Sequence, residues 1–140
     1  MELSQALEFA RSHRQGVLTT IRKDGRPQLS NIIYAVNPAG VIRISVTATR
    51  AKTKNLQRDP RASLYVCSDN FWAYAVIDGT AELTPVAADP NDASVNELVD
   101  LYQSMAGEHD NWDEYRAAMV ADGRLVVKIT PTSAYGMLAA

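Results

Sequence analysis

Apolar positions recur along this chain with two periods, and the switches between them mark out its elements. Leu3, Ala6, Leu7 and Ala10 fall at helical spacing, with Ser4 and Glu8 on the outside, which predicts a first helix over residues 3–14. From Gln15 to Ile21 the chain becomes β-branched and apolar, a strand, and Asp24-Gly25 then signals a hairpin. The next strand is predicted from Pro27 to Val36. Its alternation puts Gln28, Ser30, Ile32 and Tyr34 on one face and Leu29, Asn31, Ile33 and Ala35 on the other, neither cleanly polar. A turn at Asn37-Pro38-Ala39-Gly40 precedes a strand over 41–46, in which Ile42, Ile44 and Val46 alternate with Arg43 and Ser45. Further strands are predicted over 62–67 and 72–83, the second bent or bulged at Gly79.

The pattern changes at Pro85. Asp89-Pro90 opens a helix, with Ser94 and Glu97 as a capping box slightly further in, an apolar stripe of Val95, Leu98, Tyr102 and Met105, and Gly107 as its stop. A second helix over 111–121 is capped by Asp110 and stopped at Asp122-Gly123, and a last strand over 124–130 alternates Leu125, Val127 and Ile129 with Val126, Lys128 and Thr130. Short turns between so many strands predict a mostly antiparallel sheet that curls into a barrel, in one domain spanning residues 1–140. The Met and aromatic stripes of the two helices read as core.

Composition narrows the function. With 46% hydrophobic and 21% charged residues the chain is an ordinary globular one, and a net charge of −2 speaks against a nucleic-acid partner. The single cysteine, Cys67, excludes an intrachain disulfide and reads as a small buried hydrophobe. His13 and His109 give no metal-ligand spacing, so no metal is expected. Without a secretory pattern or a membrane-length apolar run, the expected location is cytoplasmic. Dinucleotide, P-loop and nucleophile-elbow motifs are lacking, and no catalytic residue can be named from spacing.

One stretch carries chemistry. Thr49-Arg50-Ala51-Lys52-Thr53-Lys54 follows a strand and opens a short helical pattern that Asp59-Pro60 closes. A helix start beside Arg and Lys suits a phosphate, because unpaired N–H groups and formal charge point at the same anion. Alone, the stretch reads equally as a solvated basic turn. Beside a polar strand face, it suggests a phosphate-bearing cofactor oriented by the barrel.

The runs Gly16-Val17-Leu18-Thr19-Thr20, Asp24-Gly25-Arg26-Pro27-Gln28-Leu29-Ser30-Asn31, Arg50-Ala51-Lys52-Thr53-Lys54-Asn55-Leu56 and Asp59-Pro60-Arg61-Ala62 occur here in order. Together they resemble the flavin and deazaflavin oxidoreductases of the pyridoxamine 5′-phosphate oxidase-like superfamily. Trp72-Ala73-Tyr74-Ala75-Val76, Gly79-Thr80-Ala81, Gly107-Glu108-His109 and Trp112-Asp113-Glu114-Tyr115 are similar to its actinobacterial branch, which uses coenzyme F420. The resemblance spans roughly residues 5–136.

It implies a mainly β fold with peripheral helices, a split β-barrel of six to seven mostly antiparallel strands, dimeric, with cofactor sites at the subunit interface. It further implies that Arg50 and Lys52 hold the cofactor phosphate with help from Thr53. Gln28, Ser30 and Asn31 lie along the deazaflavin ring, and Ser45 and Asn55 near the ribityl chain. Trp72 and Tyr74 come from the partner subunit. On a regular strand Gln28 and Ser30 share a face and Asn31 points the other way. Gln28 and Ser30 also read as a solvated face, Asn55 as a packing residue, and Trp72 and Tyr74 as core or dimer packing. The function implied is F420-dependent hydride transfer to a conjugated, quinone- or enone-like small molecule, the proton coming from solvent or from Tyr74. An FMN enzyme of the pyridoxamine-phosphate-oxidase type and a non-catalytic F420-binding protein are the alternatives.

Overall fold

The computed structural model describes residues 1–138. In chain order these form α1 (Leu3–Arg11), β1 (Gln15–Ile21), β2 (Pro27–Ile33), β3 (Ala35–Val36), β4 (Ile42–Thr47), α2 (Ala51–Arg58), β5 (Arg61–Cys67), β6 (Tyr74–Leu83), α3 (Ala93–Ala106), α4 (Trp112–Ala121) and β7 (Arg124–Met137). The seven strands make one sheet in the order β2-β1-β5-β6-β7-β4-β3, and every ladder is antiparallel. β2 and β3 stand at opposite ends of that sheet yet are separated in sequence by Tyr34 alone, so the sheet must curl until its ends meet. The expected single strand over 27–36 is thus two, because the chain changes partner at Tyr34, from β1 to β4. Tyr34 is fully buried there, and its hydroxyl donates to the Ala10 carbonyl at 2.7 Å.

The curled sheet encloses the main core. Leu18, Ile42, Ile44, Val46, Leu64, Val66, Ile77, Leu125, Val127 and Ile129 point inward, and each such side chain contributes about 1.5–3 kcal/mol on burial. α1 seats Ala6 and Ala10 on this core, and α2 seats Leu56. A second core lies outside the barrel, where Val95, Leu98, Leu101 and Met119 pack on Ala87 and Val126. β7 therefore serves both cores, with Leu125 and Val127 inside and Val126 outside, as period-two alternation requires. Arg43 of β4 donates to Asp100 at 2.8 Å and Lys128 of β7 to Glu97 at 3.2 Å, tying α3 to the outer face of the sheet.

Several boundaries depart from the sequence reading, each for a local reason. α1 stops at Arg11, not near Arg14, because Ser12 Oγ bonds the Phe9 carbonyl and the His13 ring bonds the same oxygen. α3 is capped by Asp92, whose side chain accepts from the Val95 N–H, while Ser94 donates to the Pro85 carbonyl instead of forming the expected box. Asn111, not Asp110, caps α4, accepting from the Glu114 N–H. β6 begins at Tyr74, since residues 68–73 form a turn held by Ser68 and Asn70. β7 runs seven residues past Thr130. Its register shifts opposite Asp78 and Gly79, so Pro131, which has no N–H to give, sits where the ladder is already broken. No helix among the described residues is long and apolar enough to cross a membrane.

Candidate functional site

α2 begins where β4 ends, and Arg50 stands at its N-cap position with extended backbone and no side-chain cap. The first turn therefore presents uncapped N–H groups next to Arg50 and Lys52. Lys52 is half-buried and makes no hydrogen bond or ion pair among the described residues. Burial lowers its ammonium pKa, and the like charges of Arg50 and Arg124 lower it further. A cation held against other cations, with its charge disfavoured and no acid to pair with, is a site that gains from an anion.

Lys52 lies in the wall of a cavity of about 790 Å³, which is enough for a flat tricyclic cofactor. Asn31 and Ile33 of β2, one end strand, and Ser45 of β4, the last strand but one at the other end, also line it; these two strands do not pair, so the cavity follows the parting of the barrel. Val17 and Tyr65 continue the same sheet face, being direct cross-strand partners of each other, as Val17 is of Asn31. The opposite wall comes from the helices: Tyr102 and Met105 of α3, Tyr115 and Met119 of α4. Arg124, at the start of β7, joins Lys52 at the charged end and donates to Ser45 Oγ at 3.3 Å, with Asp122 nearby at 3.9 Å. Burial raises the Tyr65 phenol pKa, with smaller contributions from Cys67 and Tyr74; its ring stacks on Tyr74 at 5.8 Å. Burial likewise raises Tyr115, whose hydroxyl donates to the Leu98 carbonyl. Tyr102, His109, Trp112 and Tyr115 pack ring to ring at 5.0–5.6 Å, which stiffens the helical wall.

Of the residues singled out in the sequence, Asn31, Ser45 and Lys52 line this cavity and Arg50 stands beside it. Gln28 and Ser30 do not line it. They sit opposite Thr20 and Leu18 on the barrel-interior side of β2, while the cavity uses the face that bears Asn31. Thr53 is fully buried and its hydroxyl donates to the Thr47 carbonyl. Asn55 is buried too, its amide donating to Thr20 Oγ1 while its carbonyl oxygen accepts from Arg58. Both hold α2 in place through their own hydrogen bonds. Trp72 is 69% exposed on the turn before β6, and Tyr74 follows it on the outer face.

The sequence reading passed over Arg124, Tyr65, Tyr102, Met105, Tyr115 and Met119 as site residues. The four helical ones repeat at core spacing and are core on one side, so periodicity alone cannot show that their other side faces a cavity. A cation at the first position of a strand carries no signal at all.

A curled seven-stranded antiparallel sheet with peripheral helices is the split-barrel architecture of pyridoxamine 5′-phosphate oxidase-like proteins. The chain belongs to the pyridoxamine 5′-phosphate oxidase family, whose model matches residues 3–138. Among solved structures it is similar to a conserved hypothetical protein from Mycobacterium tuberculosis, with 25% identity, a TM-score of 0.76, and 98% of this chain and 84% of that one covered. It is also similar to an F420 reductase, with 26% identity, a TM-score of 0.65 and coverage of 87% and 89%. A putative pyridoxamine 5′-phosphate oxidase from Listeria innocua shares the fold at 19% identity, with a TM-score of 0.68 and 98% of both chains covered.

Proposed function

We propose that the protein is an F420-dependent oxidoreductase acting on conjugated, quinone- or enone-like small molecules. The observation that carries this reading is the cluster of Arg50, Lys52 and Arg124, three cations with Asp122 as the acid beside them, at one end of a cavity whose other end is aromatic and thioether-lined. Lys52, Arg50 and Arg124 hold the cofactor phosphate, and Ser45 and Asn31 offer hydroxyl and amide groups along the path from the phosphate to the ring. Val17 and Tyr65 form the floor under a flat ring system; Tyr102 and Met105 exclude water from above. Reduced F420, when bound, supplies a hydride from its C5. The chain's part in that reaction is to position the acceptor against the ring and keep the site dry. Thr53 and Asn55 act behind the site by fixing α2. The resemblance to an F420 reductase over most of both chains favours F420 over FMN.

The active unit in this reading is a homodimer in the cytoplasm. Leu29, Ile33, Tyr135 and Met137 are 55–60% exposed and share the outer sheet face onto which the cavity opens, with Phe71 and Trp72 exposed on a neighbouring turn. A second copy covers this face and brings Trp72 to the site of its neighbour.

Fluorescence titration with F420 and, separately, with FMN tests the cofactor. Tighter binding of F420 is expected; submicromolar FMN binding with no F420 binding overturns the assignment. Oxidation of reduced F420 by menadione then separates an enzyme from a protein that binds the cofactor without turnover.

A further inference from the structure

A second cavity, of about 860 Å³, adjoins the first and shares Gln15, Ile33, Cys67, Tyr102 and Met105 with it. These five residues are the boundary between two chambers of one cleft. Beyond them the second chamber is walled by Ala106 of α3, by Ser12, His13 and Arg14 between α1 and β1, and by Ser68 and Asp69 after β5. Apart from Gln15 the shared wall is apolar and aromatic, and in the second chamber Arg14 supplies a guanidinium with no hydrogen bond or ion pair among the described residues. The His13 ring is engaged through Nδ1 by the Phe9 carbonyl, and the Arg14 guanidinium is without a partner among the described residues. Asp69 lines the same chamber but lies outside ion-pair distance of Arg14.

We infer that the second chamber is the substrate's, and that it selects a flat conjugated molecule bearing an acidic group. The ring system packs on Ile33, Tyr102 and Met105, which also border the first chamber, so it reaches the reacting face. The acidic group extends away from that face to Arg14, whose planar fork suits a carboxylate or sulfonate. Lys52 and Arg14 thus serve two different anions at the two ends of one cleft. The inference rests on the first chamber being the cofactor's.

Two dyes with one ring framework test it without relying on turnover: 8-anilinonaphthalene-1-sulfonate, which carries an acid, and N-phenyl-1-naphthylamine, which does not. In the presence of saturating F420 the sulfonate is expected to bind the full-length protein more tightly than the neutral dye. Arg14→Gln should weaken the sulfonate roughly tenfold, the scale of one charge-assisted hydrogen bond, and leave the neutral dye unchanged. Asp69→Asn should tighten the sulfonate, and Ala106→Trp, which fills the chamber, should expel both dyes. Sulfonate binding that ignores Arg14→Gln and Asp69→Asn but responds to Lys52→Met overturns the inference, as does equal binding of the two dyes. If F420 fails to bind wild-type protein while Arg14 still discriminates the dyes, the cofactor assignment falls and the acid-selective chamber stands.

Discussion

At the scale of single residues, Lys52 makes the sharpest prediction. Its pKa is lowered in the folded protein by burial and by the neighbouring arginines, so the folded chain gives up this proton before an unfolded lysine does. Between the two values the unfolded state binds more protons, and stability rises with pH across that window. A bound phosphate reverses the shift and holds the ammonium charged. Cofactor affinity should therefore fall as pH rises through the lowered Lys52 pKa, and Lys52→Met should flatten that dependence; isothermal titration at several pH values reads both. Asn55 is the counter-case. Asn55→Leu strands the Thr20 hydroxyl and removes an acceptor from Arg58, and it should cost about 1–3 kcal/mol in urea denaturation. Any loss of cofactor affinity should go no further than the fraction unfolded explains. The sequence pointed Lys52 at a phosphate but left Asn55 open between ligand contact and packing, because a polar side chain inside a helix reads the same whether it meets a ligand or a neighbouring strand.

At the scale of elements, legibility followed locality. β1, the Asp24-Gly25 hairpin and α2 with its Asp59 stop lie where periodicity and turn chemistry put them, because their determinants are within a few residues. Tyr34 and β7 were misread because their determinants are distant. Nothing between Pro27 and Val36 says that the strand exchanges β1 for β4, and nothing after Thr130 says that β6 offers a further partner. Gly79 was legible as an irregularity. The structure adds the reason that only glycine fits: a Cβ there would stand 2.5 Å from the Thr130 carbonyl oxygen and 2.7 Å from the Ile129 side chain. Gly79→Ala should thus cost about 1–3 kcal/mol, as overpacked sites do, seen as a lowered urea midpoint with an unchanged m-value.

At the scale of the whole molecule, the exposed outer face matters most. Leu29, Ile33, Tyr135 and Met137 together form an apolar surface that a monomer would leave to water. If the proposed dimer forms through this face, replacing Leu29 and Met137 by Lys should yield a monomer in light scattering where the wild type is dimeric. The first cavity opens on this face, so the same change should weaken cofactor binding more than Lys placed at exposed Phe71. A single monomeric species of unchanged cofactor affinity in the wild type would remove the partner from the site. The family and the barrel could be read from the order of local motifs, whereas the chamber walls could not, since they are drawn from β1, β2, β4, β5, β7 and three helices at once.

The meeting of the two sheet ends at Tyr34 has a mechanical consequence. A curled sheet whose end strands touch through one residue is a ring with a seam, and the cleft runs along that seam. Whatever fills the cleft acts as a wedge that holds the seam shut, so occupancy and cohesion of the barrel are one property. At cofactor concentrations a hundredfold above the dissociation constant the folded state gains about 2.7 kcal/mol. In hydrogen exchange that gain should appear first in the amides of β2 and β3, the strands that border the seam, and last in β6, which lines neither chamber and stands midway round the ring.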